Sequence, residues 1–129
     1  MVLFAAYMPP FTVLLAEDSD VMRLAIRRIL EGEPGIALIG EASSFAEAIR
    51  MAADLTPNVV VSDLHLPDER AFTPDLIKSQ FLLSAKHVVA ISIWNDEASK
   101  ALAESYGAAA FLDKAKLGLE LIPAILRLA

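Results

Sequence analysis

The sequence predicts an α/β fold: a doubly wound sheet of five parallel strands with five helices on its two faces. Three short runs are rich in β-branched residues and do not alternate with polar residues, which is typical of strands covered on both faces in a parallel sheet. They occupy residues 12–16, 59–62 and 88–92. Helical patterns separate these runs, so strand and helix alternate along the chain as they do in a doubly wound sheet.

The first strand, residues 12–16, is followed by a helix with a readable start and stop. Ser19 or Asp20 has the side chain of an N-cap, apolar residues recur on one face of the following segment, and arginines point to the other face. Gly32 and the proline and glycine after it end the helix. Residues 36–41 are a weaker strand candidate.

The second and third helices are also marked by their first residues. Ser44 and Glu47 have the spacing of a capping box, which opens the second helix. The third strand, residues 59–62, comes next. A third, short helix begins after it, where Thr73 is a good N-cap and Pro74 suits the first helical turn.

The last two helices flank the fifth strand. Asp96 and its neighbours start the fourth helix, and Gly107 caps its C-terminus. Residues 108–112 are the fifth strand, again a weaker candidate. The fifth helix is predicted over residues 119–128, and Pro123 within it is expected to lie near the first turn, where a missing N–H costs little.

Length and composition indicate one folded domain. The chain has 129 residues, a usual domain size, and we expect residues 11–129 to form the domain and residues 1–10 an N-terminal extension. No apolar run reaches the ~20 residues that a membrane span needs, so no membrane partner is expected. The absence of cysteine excludes disulfides and thiolate metal sites, and it fits a cytoplasmic location.

The net charge argues against direct contact with nucleic acid. Lys and Arg number 11 against 17 Asp and Glu, which gives a net charge of −6. A phosphate backbone would be repelled by this charge. We therefore expect no direct nucleic acid binding.

Polar residues collect at the carboxyl ends of the predicted strands, the edge where doubly wound sheets bind ligands. The residues are Glu17, Asp18, Asp63, Ser92 and Lys114. Three carboxylates about 4 Å apart would repel one another by about 4 kcal/mol per pair at an effective dielectric constant of about 20. An oxygen-ligated Mg²⁺ would offset this repulsion, whereas Zn²⁺ would prefer His or Cys ligands.

With a cation in place, a carboxylate can act as a nucleophile toward phosphorus. Asp63 is the central candidate for this role. Lys114 would supply an ammonium group and Ser92 a hydroxyl donor for the phosphoryl oxygens. The only imidazole nearby is that of His65, whose backbone carbonyl is a better candidate metal ligand than its ring.

These residues resemble the receiver domains of two-component response regulators over about residues 11–128. The matching segments are LLAEDS at 14–19, VVVSDLHLP at 59–67, VVAIS at 88–92 and GAAAFLDK at 107–114. The resemblance implies a flavodoxin-like sheet with strand order 2-1-3-4-5. The segment at 36–43 looks most like receivers that precede a helix-turn-helix output domain.

The resemblance also implies a role for each site residue. Asp63 would accept the phosphoryl group, and Mg²⁺ would be held by Glu17, Asp18, Asp63 and the main-chain carbonyl of His65. Ser92 and Lys114 would contact the phosphoryl group, and Phe111 would be the aromatic switch residue. The chain departs from the family in the loop after Pro67, which lacks the common glycine, and at Ala115, which is neither proline nor acidic.

The implied partner is a sensor histidine kinase or a phosphotransfer protein. We also expect a homodimer through the fifth-helix face, because the composition is 56% hydrophobic. That face is expected to include Leu119, Leu121, Ile122, Ile125, Leu126 and Leu128. Trp94 and His65 are expected to flank the path of the water that would hydrolyse the aspartyl phosphate.

Two other functions remain open from the sequence. A pseudo-receiver would use the same fold only for constitutive interaction, and failure to bind beryllofluoride would indicate it. A haloacid-dehalogenase-type phosphohydrolase also uses an aspartyl nucleophile, but it would have a second Asp where this chain has His65.

Overall fold

The computed structural model describes residues 9–129, which form a five-stranded parallel sheet in the order β2-β1-β3-β4-β5. The predicted extension lies outside the described residues except for Pro9 and Pro10, which are exposed and belong to no helix or strand. The strands are β1 (Phe11–Ala16), β2 (Ile36–Ala42), β3 (Val59–Asp63), β4 (His87–Ser92) and β5 (Ala110–Asp113). The predicted strand order is confirmed.

Five helices of the described residues connect and cover the strands, as predicted. They are α1 (Asp20–Glu31), α2 (Phe45–Leu55), α3 (Pro74–Ser84), α4 (Glu97–Ser105) and α5 (Leu117–Leu126). Side chains cap the first four helices by accepting a hydrogen bond from the backbone N–H three residues later. These N-caps are Ser19, Ser44, Thr73 and Asp96. No described helix is long and apolar enough to cross a membrane.

The sheet divides the core into two layers. Along β1, Leu14 faces the layer that also contains Phe45 of α2 and Phe81 of α3. Val13 and Leu15 face the opposite layer, which α1 and α5 cover. Because both faces of β1, β3 and β4 are buried over most of their length, their sequences are nearly continuous apolar runs and do not alternate with polar residues.

The fifth strand begins two residues later than predicted. Gly107 has φ +76°, and its N–H donates to the Glu104 carbonyl at 2.9 Å. The next N–H, of Ala108, donates to the Ala103 carbonyl at 3.1 Å. These two bonds form a Schellman motif at the end of α4, so Ala108 still belongs to the helix terminus and cannot start the strand.

The fifth helix begins two residues earlier than predicted, and its proline lies outside the first turn. The helix is Leu117–Leu126, so Pro123 is its seventh residue and not part of the first turn. The carbonyl that loses its N–H partner belongs to Leu119, a residue that is 83% exposed, so water can reach this part of the helix. The expected dimer face was also drawn too widely, because Leu121 and Ile125 are fully buried in the core.

Candidate functional site

The predicted polar residues meet at the carboxyl edge of the sheet. The strand register aligns the end of β1 with that of β3, since Ala16 pairs with Ser62. It aligns β4 with β5 in the same way, since Ser92 pairs with Asp113. Residues that follow these strands directly are therefore brought to one edge.

Three carboxylates form a cluster at this edge. Glu17, Asp18 and Asp63 each place one oxygen within 4.8 Å of the oxygens of the other two. Glu17 and Asp63 are buried, whereas Asp18 is exposed. The three acidic residues that the sequence assigned to one pocket are thus close in space.

Lys114 joins the two buried carboxylates. Its Nζ atom lies 2.6 Å from Glu17 Oε1 and 2.6 Å from Asp63 Oδ2. Burial disfavours the charged ammonium, but the bonds to Asp63 and Glu17 outweigh burial and raise the pKa of Lys114. The ammonium group therefore offsets part of the repulsion between the carboxylates, a role that the sequence did not suggest.

The two oxygens of Glu17 have different surroundings. Oε2 accepts a hydrogen bond from the Ser19 N–H at 3.0 Å. Oε1 is buried and forms the 2.6 Å ion pair with Lys114 Nζ. Burial raises the pKa of Glu17, and the negative charge of Asp63 adds to this effect. The buried Oε1 thus already has a positive group beside it, the Lys114 ammonium.

Both oxygens of Asp63 are held. Oδ1 accepts from the His65 N–H at 3.0 Å, and Oδ2 accepts from Lys114 Nζ at 2.6 Å. The carboxylate is therefore fixed in orientation by one backbone and one side-chain donor.

Ser92 and Trp94 lie on the loop after β4. The Ser92 hydroxyl oxygen is buried and accepts from the backbone N–H of Trp94 at 3.0 Å. The Trp94 side chain is 58% exposed and lines a cleft of about 300 Å³ together with His65. The His65 ring is bound to Glu69, with 2.9 Å between Nδ1 and Oε2. Both residues therefore line one cleft, and their role in water access stays a prediction.

Phe111 lies in β5, two residues before the end of the strand. Its ring is half-buried against the core layer of α2, α3 and α4. It also borders a cavity of about 340 Å³ between α4 and β5. This cavity leaves space beside the Phe111 ring, and movement of the ring stays a prediction.

Two residues near the site were not identified as functional from the sequence. Tyr106 is only 3% exposed, and its hydroxyl donates to the Leu64 carbonyl at 2.9 Å. Asp68 accepts from the Phe45 N–H at 2.9 Å and the Ala46 N–H at 3.0 Å. No local sequence pattern indicates these contacts. Tyr106 is 42 residues from its partner, and Asp68 is 22 and 23 residues from its two partners.

The chain is similar to proteins of one known family. Residues 13–126 match the family described as the response regulator receiver domain. The transcriptional regulatory protein LiaR of Bacillus subtilis is 31% identical over 113 residues, which are 88% of this chain and 53% of LiaR. A protein-glutamate methylesterase of Methanospirillum hungatei is 42% identical over 60 residues, which are 46% of this chain and 17% of that enzyme.

A solved structure has the same fold. The signal receiver domain of the putative response regulator NarL from Mycobacterium tuberculosis superposes with a TM-score of 0.81 at 24% identity, covering 93% of this chain and 96% of that one. The chain spans about half the length of LiaR and a smaller part of the methylesterase.

Proposed function

This chain belongs to the family of response regulator receiver domains, and we propose that Asp63 is its phosphoacceptor. Receiver domains are signalling switches that histidine kinases phosphorylate. The observation that carries the proposal is the position of Asp63 at the carboxyl edge of β3, buried and held by both His65 N–H and Lys114 Nζ.

In the proposed reaction, a carboxylate oxygen of Asp63 forms a bond to phosphorus while the P–N bond of a donor phosphohistidine breaks. Lys114 is close enough to transfer its contact from the carboxylate to a phosphoryl oxygen. The Ser92 oxygen already accepts from the backbone N–H of Trp94. The hydroxyl proton of Ser92 can therefore be donated to another phosphoryl oxygen. Both groups favour the charge that develops during transfer.

Mg²⁺ is the proposed cofactor. The donor set fits this ion, because all three side chains offer carboxylate oxygens and these oxygens lie within 4.8 Å of one another. Glu17, Asp18 and Asp63 would hold the ion together with the main-chain carbonyl of His65. Bound there, Mg²⁺ would neutralise negative charge on the transferring phosphoryl group.

The output of the switch is proposed to pass through Phe111. When Ser92 moves toward the phosphoryl group, the space that it leaves would be filled by the Phe111 ring. Because this ring has no hydroxyl, the change would be one of packing alone. The face formed by α4, β5 and α5 would then present a different surface to its partner.

The proposed partner is a sensor histidine kinase or a phosphotransfer protein, in a cytoplasmic setting. We propose that this chain catalyses only its own phosphorylation and dephosphorylation, since the methylesterase match covers 17% of that enzyme. The net charge of −6 supports the proposal that this domain does not itself contact DNA. A homodimer would use the exposed residues Leu119 and Leu126 of α5.

Replacement of Asp63 by Asn tests the proposal. Asp63→Asn removes the nucleophilic charge and keeps the shape of the side chain, so labelling by radioactive acetyl phosphate with Mg²⁺ is expected to be lost. Asp113→Asn is the matched control, because Asp113 also ends a strand at this edge but caps a 3₁₀ turn through the Ala115 N–H. The proposal fails if Asp63→Asn is labelled as strongly as Asp113→Asn.

A further inference from the structure

The peptide group between Leu64 and His65 directly follows Asp63, and both of its polar atoms are hydrogen-bonded. Its N–H, from His65, donates to Asp63 Oδ1 at 3.0 Å. Its carbonyl oxygen, from Leu64, accepts from the Tyr106 hydroxyl at 2.9 Å. Because a peptide group is planar, a rotation that breaks one of these bonds disturbs the other as well.

Tyr106 is held rigidly where it makes this bond. It is the C-cap of α4, and the Schellman motif through Gly107 fixes the backbone there. Its ring packs edge-on against Phe45 with 5.7 Å between ring centroids. Burial raises the pKa of Tyr106 to about 12, so its hydroxyl keeps its proton at neutral pH and acts as a donor.

We propose that Tyr106 is a positioning residue for phosphoryl transfer: its hydroxyl orients the Leu64–His65 peptide, whose N–H in turn holds the Asp63 carboxylate. This proposal rests on the function proposed for Asp63. A donor on the carbonyl also polarises the peptide and strengthens its N–H as a donor on the other side. Both effects keep the carboxylate aligned before a phosphodonor arrives.

The test uses Tyr106→Phe, which removes the hydroxyl and keeps the ring. Ser105→Ala is the matched control, because it also removes a hydroxyl bonded to a backbone carbonyl, that of Leu102 at 2.6 Å, in the same turn. The first readout is the His65 amide by NMR, measured without phosphodonor or Mg²⁺. The second is the rate of phosphorylation by acetyl phosphate at saturating Mg²⁺.

In Tyr106→Phe the His65 amide proton is expected to shift upfield and to exchange faster with solvent, because its bond to Asp63 weakens. Phosphorylation is expected to slow by about three- to tenfold, the effect of one typical hydrogen bond. Ser105→Ala is expected to leave both readouts at the values of the unmodified protein.

The proposal is overturned if the His65 amide or the phosphorylation rate is the same in both variants. The Val61 amide, in the middle of β3, separates a local effect from general destabilisation. Equal loss of protection at Val61 and His65 in Tyr106→Phe would mean that the hydroxyl only stabilises the fold, which also overturns the proposal. The amide readout needs no phosphorylation. A failure of the Tyr106 proposal is therefore distinguishable from a failure of the Asp63 proposal, which would appear as labelling of Asp63→Asn.

Discussion

Lys114 places an ammonium group between two carboxylates that have little access to water. Its side chain is 9% exposed, and those of Glu17 and Asp63 are 1% and 10% exposed. Two buried carboxylates without this cation would repel each other at short range. Lys114 therefore has a structural role in addition to the contact proposed for the phosphoryl group.

Lys114→Ala is expected to lower the free energy of unfolding by about 3 kcal/mol, because it leaves two buried charges uncompensated. Added Mg²⁺ is expected to raise the melting temperature of this variant more than that of the unmodified protein, since the ion would restore the missing positive charge. Lys116→Ala is the control, because Lys116 is exposed in the same 3₁₀ turn. Equal responses of both variants to Mg²⁺ in thermal unfolding would contradict this account.

Trp94 is expected to slow hydrolysis of the aspartyl phosphate by restricting the approach of water through the cleft that it shares with His65. Trp94→Ala should therefore shorten the lifetime of the phosphorylated protein, measured by the decay of label after removal of the phosphodonor. Ile93→Ala is a suitable control, because Ile93 is the adjacent residue and 65% exposed. If both variants lose label at the unmodified rate, Trp94 has no part in water access.

At the scale of elements, the loop after β3 is hydrogen-bonded to the N-terminus of α2. The two Asp68 oxygens accept from the first two N–H groups of α2, where the helix dipole also favours a negative charge. Phe72, at the end of the same loop, packs edge-on against Phe45 with 6.1 Å between ring centroids. The loop that leaves Asp63 thus has an anchor that does not require the glycine common in this family.

The elements also explain which features could be predicted. The N-caps were identifiable because each is a bond between residues three apart, such as Ser44 and the Glu47 N–H. The contacts of Asp68 and Tyr106 were not identifiable, because a local pattern does not specify which backbone group a side chain reaches 22 or more residues away. Pro123 was misplaced for a related reason: exposure of the neighbouring carbonyl, which depends on tertiary packing, decides whether a proline is tolerated.

Pro123→Ala tests this explanation of α5. Alanine restores the N–H that can bond to the Leu119 carbonyl and removes the ring that crowds it, so we expect the free energy of unfolding to rise by about 1–3 kcal/mol. Urea unfolding at neutral pH measures the difference. A less stable variant would show that the packing of α5 requires the proline ring.

At the scale of the whole molecule, the alternation of strand and helix produces the doubly wound sheet. The aligned carboxyl ends of its strands produce the site. Parallel strands with aligned ends bring Glu17, Asp63, Ser92 and Lys114 together although they are far apart in the sequence. The sequence predicted this convergence because the carboxyl edge is set by topology. It could not predict that Lys114 bonds both buried carboxylates, because that depends on side-chain geometry.

The most direct measurement of the central claim is the position of the phosphoryl group itself. The protein is incubated with acetyl phosphate and Mg²⁺, the acyl phosphate is reduced with borohydride, and peptide mass spectrometry locates the resulting homoserine. We expect homoserine at position 63, and none when Mg²⁺ is removed with EDTA. Reduction at Asp18 or another carboxylate, or the same yield at position 63 without Mg²⁺, would contradict it.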